Sequence, residues 1–184
     1  GEEDAFRDLE GVAAVEGTIS ADMLAVLDGN EVVFKTHMLM PSINQVHVTA
    51  GRSPQASGEV LADDLTFSEA DLGKTMTVIH QDDTVFAKDE YTIVGLCNSP
   101  QYLNMARGST SLGNGSVKGF LFLPREGYNT DYWTELYVRL DTERDLFDTA
   151  YQDYLKTWED PLVKILEPQG EARLDRLLAE GRKE

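Results

Sequence analysis

The sequence predicts an α+β fold in which both chain ends build one part and a β-rich segment is inserted between them. Three observations carry that expectation. Residues 42–125 hold five short apolar runs separated by Gly, Pro, Ser and Asp, the texture of a small β-rich lobe. Helical spacing appears near the two ends, each time beside a strand-like stretch. Finally, 41% hydrophobic and 27% charged residues over 184 positions is globular composition, enough for one domain or two small lobes.

The elements follow in order. Glu3 to Glu10 reads as a short helix with Phe6 and Leu9 on one side and Gly11 as its stop. VAAVEGTISADMLAVL and EVVFKTHMLM read as two strands around Asp28-Gly29-Asn30, a hairpin turn signal, and Pro41 closes the unit. The runs QVHVTA, EVLADDL, TMTVIH, YTIVGLC and VKGFLFL are the strands of the insert. One helical turn, SEADLG, interrupts them, with Ser68 as N-cap and Asp71 as the acid of a capping box. WTELYVRL is a strand with Leu136, Val138 and Leu140 on one face. Thr142 caps the next helix, with Asp145 three residues on, and Leu146, Phe147, Ala150, Tyr151, Tyr154, Leu155 and Trp158 recur at helical spacing until Asp160-Pro161. ARLDRLLAEGRKE is a second helical segment. These readings place residues 1–41 and 128–184 in one α/β lobe and 42–127 in the inserted β-rich lobe, with the first and last quarters packed together.

Composition excludes some functions. A formal charge of −17 repels nucleic-acid phosphates and anionic head groups, so neither is an expected partner. One cysteine, Cys97, allows no internal disulfide. No run of about 18 apolar residues exists, and GEEDAF lacks the parts of a signal peptide. Both ends stop inside helical sequence, which suggests a piece of a longer protein.

The motifs that carry chemistry are incomplete. Gly108 and Gly113 have P-loop separation, but Asn114 stands where the lysine must be; Gly73-Lys74-Thr75 supplies the second half with Ser68 in place of the first glycine. Cys97 sits in an apolar strand, where a free cysteine behaves as a small core residue; a nucleophile would need a base nearby, and His37, His47 and His80 are scattered. Those histidines lack metal-ligand spacing. The acidic pairs Asp63-Asp64, Asp82-Asp83 and Asp89-Glu90, and the run Glu2-Glu3-Asp4, lack the alternate acids and central glycine of a calcium loop. Tyr128, Tyr132, Trp133 and Tyr137 suit core or cross-strand pairs. The chain is therefore expected to be no enzyme, with neither cofactor nor metal.

Several stretches together resemble a known family. PSINQVHVTAGRSPQASGEVLADD is similar to a segment of FtsX-like ABC-transporter permeases, within their extracytoplasmic, MacB-type periplasmic core domain. LGKTMTVIH looks like that family's next strand, although a Gly-Asp pair is usual where Gly73-Lys74 stand. EYTIVGLCNSPQYLNMARGSTSLGNGSVKGFLFLP is similar to a stretch of large Gram-positive permeases, and YWTELYVRLD with a following amphipathic helix completes the pattern. The resemblance implies structural roles for the motif residues Gly51, Arg52, Pro54, Glu59, Gly95, Ser99, Pro100, Gly108, Gly113 and Gly115. It also implies a membrane-proximal α/β lobe with ferredoxin-like halves, made from both chain ends, on the outer side of the cell membrane. A coiled coil beginning at LDRLLAEGRKE is implied as well. The implied partners are the transmembrane part of the same permease, a second permease copy, a cytoplasmic ABC ATPase and an extracellular substrate or protein. The implied task is coupling ATP-driven helix motion to export, lipoprotein release or activation of a partner. An extracellular module that recruits a protein such as a cell-wall hydrolase is the alternative. On this reading Gly108 to Gly119 is an exposed, flexible connection, with Arg107, Ser109, Thr110, Ser111, Leu112 and Asn114 as partner contacts. Arg52 fixes the turn at Gly51 through a carboxylate such as Glu59.

Overall fold

The computed structural model describes residues 3–80, 85–144 and 147–180. Asp82-Asp83, Asp145, Leu146 and the last four residues of the expected tail lie outside these. The chain divides into two compact units, one made of Gly1–Val15 with Val138–Glu184 and the other of Glu16–Tyr137.

The larger unit is built on a seven-stranded mixed sheet. Its strands are β2 (Ser20–Leu27), β3 (Asn30–Met38), β4 (His47–Gly51), β5 (Glu59–Asp63), β6 (Thr75–Val78), β7 (Glu90–Asn98) and β8 (Val117–Leu123). The order is β4-β7-β5-β8-β3-β2-β6, and β6 also pairs with β7, which closes six strands into a barrel. Along one edge of β7, Glu90 to Thr92 face β6 while Gly95 to Asn98 face β4. The β2–β3 hairpin turns on Asp28 and Gly29, both at positive φ, the backbone that Asp-Gly tolerates in a two-residue hairpin loop.

This corrects the expected boundary at residues 41 and 128. β3 runs parallel to β8 from Val33 to Met38, so β2 and β3 belong to the same sheet as the segment read as an insert. The expected first strand is also two. Ile19, fully buried, separates β1 (Val12–Thr18) from β2. Thr134 brackets it, donating its backbone N–H to Thr18 O at 2.9 Å and accepting from the Ser20 N–H through Oγ1 at 2.7 Å.

Two apolar clusters explain the barrel's composition. Met23, Phe34, Val60, Met76, Tyr91, Ile93, Leu121 and Leu123 belong to the main core. Leu61, Cys97, Phe120 and Phe122 form a second cluster with Tyr102, Val46 and Val48 packed on it. Alternate residues of β8 enter different clusters, so both faces are covered and VKGFLFL reads as a continuous apolar run. Burying one such side chain contributes about 1.5–3 kcal/mol.

In the smaller unit, α1 is Asp4–Arg7 with Phe6 buried, and Gly11 follows at φ +91°. The strand β9 (Glu135–Leu140) pairs with β1, and the unit boundary falls inside both strands. The long helix α2 spans Thr149–Glu180 and contains Pro161 and Pro168. It starts later than expected: Thr142 Oγ1 accepts from the Arg144 N–H, while the Asp148 carboxylate accepts from the Ala150 N–H at 3.1 Å. It also continues past Pro161, where the sequence predicts a stop, and runs on through Pro168 to Glu180. Trp158 lies over Gly11, leaving no room there for a Cβ. No described helix is long and apolar enough to cross a membrane.

Candidate functional site

Two constructions on the larger unit gather the residues singled out from sequence. The first is the corner between β4 and β5. Gly51 and Gly95 face each other across the β4–β7 pair, and the approach is too close for any side chain. A Cβ on Gly51 would stand 2.4 Å from Val94 O, and one on Gly95 would stand 2.4 Å from Arg52 O. Gly51 also needs φ +70°, a left-handed backbone that favours glycine. The chain then turns through Pro54, and the Arg52 guanidinium forks onto Glu59, with Nη1–Oε2 at 2.7 Å and Nη2–Oε1 at 2.5 Å. The Gln55 N–H donates to Glu59 Oε2 at 2.7 Å. These bonds, Arg52 first and Gln55 second, hold the Glu59 carboxyl down at about 2. The expected Arg52–Glu59 pairing is present, as is the Ser68–Asp71 cap: Asp71 Oδ2 accepts from the Ser68 N–H at 2.8 Å and from Ser68 Oγ at 3.0 Å.

The second construction is the connection from β7 to β8. Buried Ser99 starts it, accepting the Gln101 N–H on Oγ and the Tyr102 N–H on its carbonyl. Pro100 is exposed. Tyr102 stacks on Phe120 with ring centroids 4.5 Å apart and 17° between planes. Its hydroxyl lies 2.7 Å from His37 Nε2. Burial, with Lys35 nearby, holds the His37 ring down at about 4.

Arg107, expected among the exposed contacts, is instead an anchor with its side chain 7% exposed. Its Nε and Nη2 reach Asp63 at 2.5 and 2.9 Å, and Asp63, fully buried, also accepts from the Leu65 N–H and Thr66 Oγ1. The guanidinium carbon lies 5.3 Å from the Tyr102 ring centroid and 5.2 Å from that of Phe120.

Beyond Arg107 the glycine stretch folds back on itself. Gly108, at φ +87°, has open space around its Cα. Ser109 bridges Ser116, the Thr110 N–H reaches Gly115 O at 3.3 Å, and Thr110 Oγ1 donates to Asp22 Oδ2 at 2.6 Å. Gly113 approaches the β2–β3 hairpin, where a Cβ would lie 3.2 Å from Val33 Cγ2. A groove of about 500 Å³ follows this seam, lined by Leu24, Glu31, Val33, Asn114 and Lys118 among others. Ser109, Ser111 and Asn114 are exposed, and Thr110 and Leu112 are half-buried.

Sequence reasoning missed Asp63, Tyr102 and His37. An acidic residue ending the apolar run EVLADD was the one available signal of a buried carboxylate, because such a group requires a paired cation. Cys97 is fully buried, and burial pushes its thiol up to about 12, far from a thiolate at neutral pH. Among the described residues no group of His, Cys, Asp or Glu is arranged to hold a metal.

No family model matches the chain, and no curated protein matches it. Three solved structures are similar to it. The extracellular domain of the noncanonic ABC-type transporter YknZ from Gram-positive bacteria is 12% identical, with 77% of this chain and 72% of that chain covered and a TM-score of 0.46. A domain of a putative permease protein from Porphyromonas gingivalis is 17% identical over 91% of this chain and 69% of that chain, at 0.48. The periplasmic region of MacB from Actinobacillus actinomycetemcomitans is 12% identical over 88% and 72%, at 0.46.

Proposed function

We propose that this chain is the extracytoplasmic domain of an FtsX-like ABC-transporter permease subunit. It couples the motion that a cytoplasmic ATPase drives in the transmembrane helices to export, lipoprotein release or activation of a partner outside the cell. The domain performs no bond chemistry itself. In the assembly, the smaller unit, made from both chain ends, lies nearest the membrane, and permease subunits pair.

The observation that carries the reading is the β4–β5 corner. The residues that the family resemblance marks there (Gly51, Arg52, Pro54, Glu59 and, from β7, Gly95) meet in one place and serve one structural purpose. The second marked stretch, from Ser99 to Gly115, lies in the single connection from β7 to β8, and Ser109, Ser111, Leu112 and Asn114 are its proposed contacts.

Sequencing the coding DNA on both sides of this segment tests the assignment. One apolar span of about 20 residues upstream and three downstream are expected. Flanks that encode only soluble sequence would replace this reading with an extracellular binding module.

A further inference from the structure

His37 lies on the outer face of β3. Its strand neighbours Phe34 and Met38 enter the main core, whereas the His37 ring packs against Phe122 of the second cluster, with centroids 5.4 Å apart. Tyr102 closes over it from the β7–β8 connection, with ring centroids 5.6 Å apart and its hydroxyl on Nε2. The residue is 8% exposed, and Nδ1 is buried with no hydrogen-bond partner among the described residues. A neutral imidazole tolerates one idle nitrogen. An imidazolium carries N–H on both, and the Nδ1–H would be a charged donor held away from water with nothing to receive it.

The surrounding groups offer no relief. Lys35, on the same strand, opposes a second cation. Asp22 on β2, the carboxylate that acts on the ring, is engaged by Lys35 Nζ at 3.0 Å and by Thr110 Oγ1 at 2.6 Å. The register partners Ser20 on β2 and Phe122 on β8 carry no charge. From the connection come Tyr102 and, against its ring, Arg107, which is already paired with Asp63 of β5. Glu135 and Tyr137 of β9 act on Tyr102. Water is the remaining acceptor, and it reaches the ring when Tyr102 moves off. The strands need not part, because the ring is outside the barrel interior.

We propose that residues 100–106 form an acid-released strap: protonation of His37 lifts Tyr102 off the second cluster while the barrel stays closed. The strap runs between buried Ser99 and Arg107, whose bonds to Asp63 involve no histidine. Lifting gives up the Gln101 Nε2–Tyr137 hydroxyl bond at 2.7 Å and uncovers Phe120, which is 1% exposed beneath the Tyr102 ring. Burial, with Lys35 nearby, holds the covered ring at about 4, and the uncovered ring returns to its ordinary 6.5. The open form therefore takes up the proton first as pH falls. Opening becomes about 20-fold more favourable between pH 7 and pH 5. The device does not depend on the permease reading, and DNA flanks that overturn that reading leave it intact.

Amide hydrogen exchange, read residue by residue by NMR and corrected for its intrinsic pH dependence, tests the strap. The Tyr102 N–H, bonded to Ser99 O at 3.0 Å, reports lifting, and the amides of β8 report the barrel. At Tyr102 the opening constant is expected to rise about 20-fold from pH 7 to pH 5 and to be insensitive to low urea. The β8 amides are expected to exchange far more slowly, with the urea dependence of global unfolding. His37→Phe removes the rise at Tyr102, and His37→Gln serves the same purpose if the first variant does not fold. A rise in the parent of less than about threefold, a rise that persists without the histidine, or a Tyr102 urea dependence equal to that of β8 overturns the proposal.

Discussion

Arg107 and Asp63, 44 residues apart in sequence, form a forked ion pair with both side chains almost wholly out of water. The pair joins the end of β5 to the β7–β8 connection, and it is the reason that connection leaves the barrel along a fixed path. Removing one partner strands a buried charge, and the cost is about 3–5 kcal/mol. Arg107→Met and Asp63→Asn should each lower the urea midpoint by that equivalent. A loss under about 1 kcal/mol in either variant would mean that the pair is solvated.

Arg52 and Glu59 form an equally direct fork, but the arginine side chain is 46% exposed. Its effect is correspondingly smaller. Glu59 is held from 4.5 down to about 2, so the pair stabilises the fold above the ordinary glutamate range, and that stability is lost as pH falls from 4.5 to 2. Arg52→Ala should therefore melt a few degrees lower than the parent at pH 7, with the difference shrinking toward pH 2. Identical melting temperatures at pH 7 would remove the structural role assigned to Arg52.

His37 gives a separate pH window. Burial holds it near 4 rather than 6.5, so between those values the unfolded chain binds a proton that the folded chain refuses. Stability should fall as pH drops from 6.5 toward 4, by roughly 3 kcal/mol across the window. His37→Phe should flatten the upper part of that slope, between pH 6.5 and 5, where the carboxylates change little. The groups facing the ring, the Tyr102 hydroxyl at 2.7 Å and the Lys35 and Asp22 charges, are unaltered in that variant.

Two glycines of the motif set should respond differently to alanine. At Gly95 a Cβ would meet Arg52 O at 2.4 Å and Leu61 Cδ2 at 2.7 Å, so β4 and β7 must separate. Gly95→Ala is expected to cost about 3 kcal/mol or more, or to abolish folding. At Gly108 nothing lies within 4 Å, and the left-handed backbone at φ +87° is the only penalty. Gly108→Ala should cost about 1–2 kcal/mol. Circular dichroism melts of the two proteins decide it, and equal losses would contradict the close approach of the two strands.

Local chemistry was legible in the sequence by itself. Alternation and β-branched runs pointed to the strands, Asp28-Gly29 located the hairpin, and Ser68 and Asp71 located the cap, because each of these is decided within a few residues. Gly51, Arg52 and Glu59 were marked by the family resemblance alone. The tertiary structure decided the rest. Pairing β3 with β8 and closing β6 onto β7 depend on segments up to about ninety residues apart, whose meeting is fixed by shared burial rather than by local preference. The same holds for Asp63 and Arg107: nothing in EVLADD or MARGS names the other, and only the low-dielectric interior makes each the partner the other requires. α2 also passes through Pro161 and Pro168, against the local rule that proline ends a helix.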